Sequence, residues 1–211
     1  MSRSKLKIAI AINAIVIVLE AFAISVGIAK DGFFENFMYY TELSNLLGAI
    51  ACAVCLVGEV RMLRGGDGLG RGAKWVKFAA TCCLLLTFLV VVAVLAPMLN
   101  SIGQPGYYLM FVDGVKSITH LVGPVLVTVS YIVFEGDRDM TLRESLVGFV
   151  PTLAYAAVAY PCNAARLWDG PYPFLQVLDM PIWMSVLWFV ALSAVSFGLC
   201  QVPRLLAKWV R

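Results

Sequence analysis

The sequence predicts an all-α integral membrane protein, a single transmembrane domain over 1–211 folded as a bundle of six transmembrane helices. Three observations predict it. Of the 211 residues, 61% are hydrophobic and 14% charged, against roughly a quarter charged in a soluble domain. The charges gather in short clusters, leaving six apolar runs that can each cross a hydrocarbon core of about 30 Å, a task for about 20 helical residues. The runs are continuous rather than alternating, which excludes a spanning β-barrel.

The first run, 8–29, follows the basic start SRSKLK and holds one charge, Glu20. It exceeds the roughly 7–15 apolar residues of a signal peptide and no small-residue cleavage site follows it, so it reads as a retained helix. The remaining runs are 40–60, 77–98, 114–134, 145–163 and 180–203, separated by polar or Gly/Pro-rich segments. Thirteen of the sixteen Lys and Arg lie on one side of these runs, and Lys30, Lys116 and Arg166 lie on the other. By the positive-inside rule both termini are cytoplasmic in a multi-pass protein of the cell membrane, and the number of spans is even. The net charge of +3 thus has a topological origin, and no nucleic-acid partner is expected. The outer connections carry Phe33, Phe34, Phe37, Tyr39 and Tyr40, then Tyr107, Tyr108 and Phe111, then Trp168, Tyr172 and Phe174. They read as an aromatic belt at the membrane interface.

Several motifs reduce to ordinary structure. The Gly-rich GGDGLGRG of 65–72 has no strand before it and no GK[ST] after it, so it reads as a flexible cytoplasmic linker. No internal repeat points to a transporter of inverted halves. Cys52, Cys55, Cys82, Cys83 and Cys200 fall inside apolar runs and Cys162 near the outer end of the fifth, where such side chains pack. Cys52 and Cys55 lack the second pair or histidine that a zinc site needs. With one histidine in the chain, a haem held between two histidines is excluded, and neither a metal nor another cofactor is expected.

Polar groups inside apolar spans are costly and point to function by default. In the second run Thr41, Asn45, Gly48, Cys52, Cys55 and Glu59 recur at steps of four and three, which places them on one helical stripe with Ser44 beside its upper end. The stripe reads either as a close-packing face of small residues or, at its Thr-Glu-x-Ser-Asn head, as a site. The fourth run carries His120 with Pro124 and Thr128 on the same face. It reads either as a buried neutral histidine bonded to a neighbouring helix or as a general base near neutral pH. Asn13 and Glu20 share a face of the first run, and Glu20 reads either as a protonated structural carboxyl or as a group that orients His120.

FMYYTELSNLL at 37–47, THLVGPVLV around His120, and GPYPFLQVLDM at 170–180 together resemble the androgen-induced, six-helix membrane hydrolase family, and its bacterial Pr-six-Pr members most of all. The resemblance runs in order over nearly the whole chain. It implies hydrolysis of fatty acid esters of hydroxy fatty acids, or similar acyl esters, by an intramembrane threonine and histidine. The histidine falls on His120. Matching the aromatic pair puts the threonine on Thr41, whereas alignment on Phe37 puts Tyr39 there. The animal members have one more residue between the histidine and the following proline.

The resulting expectation is a lipid-ester hydrolase in which His120 takes the proton of Thr41. Ser44 is the reserve nucleophile, because helix-depth arithmetic sets His120 about 7 Å below Thr41. That arithmetic places the inner membrane surface at Glu59 to Arg61. Asn45 is the candidate oxyanion donor, with Glu20 and Glu42 as supporting acids. Tyr40, Tyr172, Pro173 and Phe174 form the entrance. The partners expected are the lipid bilayer and a lipid or acyl-ester substrate that enters from it. A small-solute or proton-coupled transporter, or a non-catalytic scaffold, are the alternatives.

Overall fold

The computed structural model describes residues 2–210, and every regular element among them is helical. Helix α1 (Arg3–Asp31) opens on Ser2, whose hydroxyl accepts the Lys5 amide at 3.3 Å, and closes at Gly32 with φ of 90°, a conformation that favours a residue without Cβ. A short α2 (Phe33–Phe37) leads into α3 (Tyr40–Leu63). Helix α4 (Arg71–Val90) continues through a π-helical turn, Val91–Leu95, into α5 (Ala96–Ser101). After α6 (Gly106–Phe111), a second π-helical turn, Ile118–Val122, runs into α7 (Gly123–Ser130) and a third, Tyr131–Glu135. A 3-10 turn, Glu144–Gly148, precedes α8 (Val150–Ala164), and α9 (Ile182–Trp209) completes the chain.

Five of these rods are long and apolar enough to cross a membrane: Arg3–Asp31, Tyr40–Leu63, Arg71–Ser101, Ile118–Glu135 and Ile182–Trp209. The run expected at 145–163 differs from them. It divides into the 3-10 turn and the 15-residue α8, which alone covers only about 22 Å. Two residues explain the break. Gly148 is wedged where a Cβ would come within 2.6 Å of Cys82 Sγ, and Pro151 in the first turn of α8 has no amide for an earlier carbonyl. The fourth rod starts at Ile118 rather than 114, because Gly114 adopts a positive φ of 55°.

Burial follows the expected stripes. On α1 the buried residues are Leu6, Ala9, Asn13, Val16, Glu20 and Ala23, and on α3 they include Thr41, Asn45, Gly48, Cys52, Cys55 and Glu59. These faces meet each other and α4 and α7, with Val16, Cys52, Leu84 and Val127 at the centre. A cluster of Phe78, Cys82, Tyr131, Met140, Cys200 and Ala207 fills one end. The opposite faces expose apolar side chains such as Ile8, Val18 and Phe22 on α1 and Ile182, Val186 and Val190 on α9, as lipid-facing surfaces do. Five apolar rods of this kind mark a multi-pass membrane protein.

The aromatic connections behave differently from a simple belt. Phe33, Phe34, Tyr107 and Tyr108 are exposed, whereas Tyr172, Phe174 and Leu175 are buried. The 165–181 connection folds back into the bundle: the Trp168 indole donates to the Ala159 carbonyl at 3.2 Å and Asn163 accepts the Val177 amide at 2.8 Å. Tyr172 stacks on Phe174 with centroids 5.1 Å apart, and Phe174 leans on Trp188 at 5.7 Å.

Candidate functional site

Thr41 stands at the second position of α3, where a helix leaves its amide without an intrahelical partner. That amide donates to Tyr172 Oη at 3.3 Å, and the Thr41 hydroxyl lies 3.4 Å from the same oxygen. Burial pushes the Tyr172 phenol up to about 12. It therefore keeps its proton at physiological pH and, while accepting from the amide, can donate to Thr41 Oγ1.

His120 sits inside the π-helical turn Ile118–Val122. Pro124 follows it and lacks the amide that would close the ordinary helical bond to the His120 carbonyl, while the Gly123 amide reaches back to Ile118 instead. Turns of this type recur at functional sites. His120 Nδ1 lies 3.1 Å from the Met110 carbonyl. A carbonyl can only accept, so the proton of the neutral ring resides on Nδ1 and Nε2 is left as a free base.

Thr41 and His120 line one cavity of about 360 Å³, together with Glu42, Lys116, Thr119 and Tyr172. Pro173 lies on the same wall. Thr41 and Tyr172 also line a narrower apolar cleft of about 70 Å³ that runs between α4, α8 and α9 past Leu86, Val91 and Leu192. Thr41 is thus part of the wall between a polar vestibule and an apolar cleft. No hydrogen bond joins Thr41 to His120 among the described residues; the hydroxyl is turned to Tyr172.

The other expected residues take other positions. The Ser44 hydroxyl donates to the Tyr40 carbonyl at 2.7 Å, within its own helix. The Asn45 amide donates to the Thr41 carbonyl at 2.9 Å and the Thr119 carbonyl at 3.1 Å. One N–H thus stays within α3 and the other ties α3 to the His120 turn, so neither is free for an oxyanion. Glu20 does not orient His120. Both its carboxyl oxygens are buried without a partner, and the group presses on Gly123, so the orienting role falls to the Met110 carbonyl. Glu42 lines the vestibule with one oxygen unpartnered. Tyr39 stays at the rim with its ring edge-on to Tyr172 at 6.1 Å. Tyr40 reaches the cleft instead of an entrance, with its hydroxyl 2.8 Å from Thr152 Oγ1. Phe174 lines the cleft as well and is buried with Tyr172.

A second polar cluster was not legible in the sequence. Lys77 is fully buried, although its place at the start of an apolar run made it one more cytoplasmic charge. Its ammonium lies 3.2 Å from a Glu135 oxygen and donates to Cys52 Sγ at 3.0 Å and to Asn13 Oδ1. Asn13 in turn donates to Glu59 at 3.0 Å and to Glu135, which also accepts from Ser130 at 3.0 Å. Glu59, expected at the inner surface, is fully buried in this network. The available signal was that Asn13 and Glu59 already lay on the inward stripes, so a cation of the same depth was owed to them.

None of the protein-family models, curated proteins or solved structures compared with the chain matches it.

Proposed function

We propose that the protein is an intramembrane hydrolase of lipid acyl esters, such as fatty acid esters of hydroxy fatty acids, with Thr41 as nucleophile and His120 as base. In this reading it belongs with the bacterial Pr-six-Pr branch of the androgen-induced membrane hydrolases. One observation carries it: Thr41 lines both the polar vestibule that holds His120 and the apolar cleft, where an ester at the end of an acyl chain would meet it. A rotation about the Thr41 side chain turns the hydroxyl from Tyr172 toward the vestibule. Thr41 Oγ1 then attacks the ester carbonyl while its proton passes to His120 Nε2. The ester C–O bond breaks and the leaving alcohol takes that proton. Water, deprotonated by His120, releases the acid and returns the proton to Thr41. Tyr172 keeps accepting the Thr41 amide and so positions the residue, and an apolar surround strengthens each of these contacts.

The same reading takes the 3-10 turn with α8 as the remaining crossing. Five residues at about 2.0 Å and fifteen at about 1.5 Å together span about 32 Å, the thickness of a hydrocarbon core. Six crossings put both termini in the cytoplasm of a cell-membrane protein, in agreement with the basic clusters. A proton-coupled transporter is the second reading, favoured by the buried Lys77, Glu59 and Glu135, because charges at membrane depth mark ion paths. A fluorophosphonate probe separates the two. Covalent labelling of purified protein that disappears in Thr41→Ala supports the hydrolase, and unlabelled, folded wild-type protein refutes it.

A further inference from the structure

The cleft behind Thr41 does not end inside the bundle. Leu153, Ala156, Tyr160 and Phe189 line it and also line an open groove of about 910 Å³ on the outer face of α8 and α9. The groove is rimmed by exposed Ile182 and Val186 and carries no charged side chain. Between the two spaces stand Tyr160 and Phe189, edge to face with centroids 5.7 Å apart. The Tyr160 hydroxyl is buried there without a partner, and a buried phenol left unpaired is a site short of one acceptor. Helix α9 is the least enclosed of the five long rods, with 11% of its apolar window buried.

We propose that this α8–α9 seam is a lateral portal that admits one acyl chain of the ester from the bilayer. The proposal rests on the hydrolase reading for the fate of the ester, but the chain site stands on its own geometry. An uncharged groove opening toward lipid recruits an apolar chain without dehydrating it, and continuity with the cleft leads that chain to Thr41. Residues Leu86 to Leu95 line the cleft along α4 and the π-helical turn that follows it, a length of about 13 Å that matches about ten extended methylenes. Swinging the Tyr160–Phe189 pair apart opens the narrow cleft to the groove and widens it for a chain.

The experiment uses the full chain in lipid nanodiscs and a diazirine-bearing dodecanoic acid as photoprobe. Crosslinks are expected on 150–164 and 182–193, above the level on the lipid face of α1. Excess decanoic acid should compete them away. Ala156→Trp, which fills the junction, should cut them at least fivefold. It should also lower the ratio of kcat/KM for p-nitrophenyl decanoate over p-nitrophenyl acetate at least tenfold. Should that variant fail to fold, Phe189→Ala serves in its place and should lengthen the longest fatty acid that competes. Crosslinks spread evenly over α1 and α9, or indifferent to decanoic acid, overturn the portal even if p-nitrophenyl acetate is hydrolysed. Competed crosslinks at the seam without any ester turnover uphold the chain site and overturn the hydrolase.

Discussion

At the residue scale the proposed chemistry rests on two buried hydroxyl-bearing residues, Thr41 and Tyr172, and on the imidazole of His120. Thr41→Ala and His120→Ala should each remove nearly all ester hydrolysis, and the double variant should lose little more, because groups that act as a unit are not additive. Tyr172→Phe keeps the stack on Phe174 and removes the contact to Thr41. It should lower kcat by about tenfold or more with KM nearly unchanged, the pattern of a group that matters most in the transition state. Steady-state kinetics on folded variants check both statements, and wild-type rates for Tyr172→Phe would remove its supporting role. Lys77 poses a separate test. Glu135→Gln leaves the fully buried Lys77 ammonium without its charge partner and should cost about 3–5 kcal/mol. Lys77→Met combined with Glu135→Gln should cost less than the sum of the two singles, since no uncompensated charge remains. Thermal unfolding in detergent reads the difference.

Packing faces and turn residues govern the elements. Gly48 lets α3 approach α4 and α7 closely, because a Cβ there would lie 3.1 Å from Leu84 Cδ1 and 3.9 Å from Val127 Cγ2. Val54 is exposed on the opposite side of the same helix. Gly48→Leu should therefore cost about 1–3 kcal/mol or more through overpacking, and Val54→Leu close to nothing, as judged by melting temperature. Equal losses would refute the inward assignment of the stripe. The turn before α8 is held by Thr141 and Glu144. Glu144 accepts the Thr141 amide at 2.8 Å and the Thr141 hydroxyl accepts the Glu144 amide at 3.2 Å, a reciprocal cap. Arg71 adds an ion pair to Glu144 at 2.7 Å. The Thr141 amide, ahead of Arg71, holds the Glu144 carboxyl below its ordinary value. A depressed carboxylate contributes stability that is fully present above the unfolded value of about 4.3 and is lost as pH falls through the folded value. Glu144→Gln should thus be less stable than wild type at neutral pH, and the gap should close below about pH 4; a gap that persists at pH 3 contradicts the cap.

The whole molecule is tested by its topology. In a cysteine-free background, single cysteines in 99–113 and 164–179 should react with an impermeant thiol reagent from outside, and cysteines in the Gly-rich 64–70 connection should not. Labelling of that connection from outside would reverse the orientation. A cysteine at the 3-10 turn Glu144–Gly148 should be reached only from the cytoplasm if the turn and α8 together make a crossing. Exposure of both its ends on one side would leave five.

Composition and periodicity alone determined that this is a helical membrane protein. They also determined the inward stripe of α3 and the face that Asn13 and Glu20 share on α1, since a 3.6-residue period maps polar and small positions onto faces without knowledge of any partner. The Thr41 to Glu59 stripe and the burial of His120 belong to that class. Pairing across helices could not be read this way, because it depends on the rotation and depth of each rod. Lys77, at a run's end, looked like a topological charge until Glu135 and Asn13 closed on it. Glu20 faced inward as expected, yet it met Gly123 and the ring was oriented by Met110. Only the tertiary structure decided that Tyr172 folds down onto Thr41 and that α8 is short. A returning loop and a helix broken at Gly148 and Pro151 are settled by contacts among distant segments, for which a local pattern carries no term.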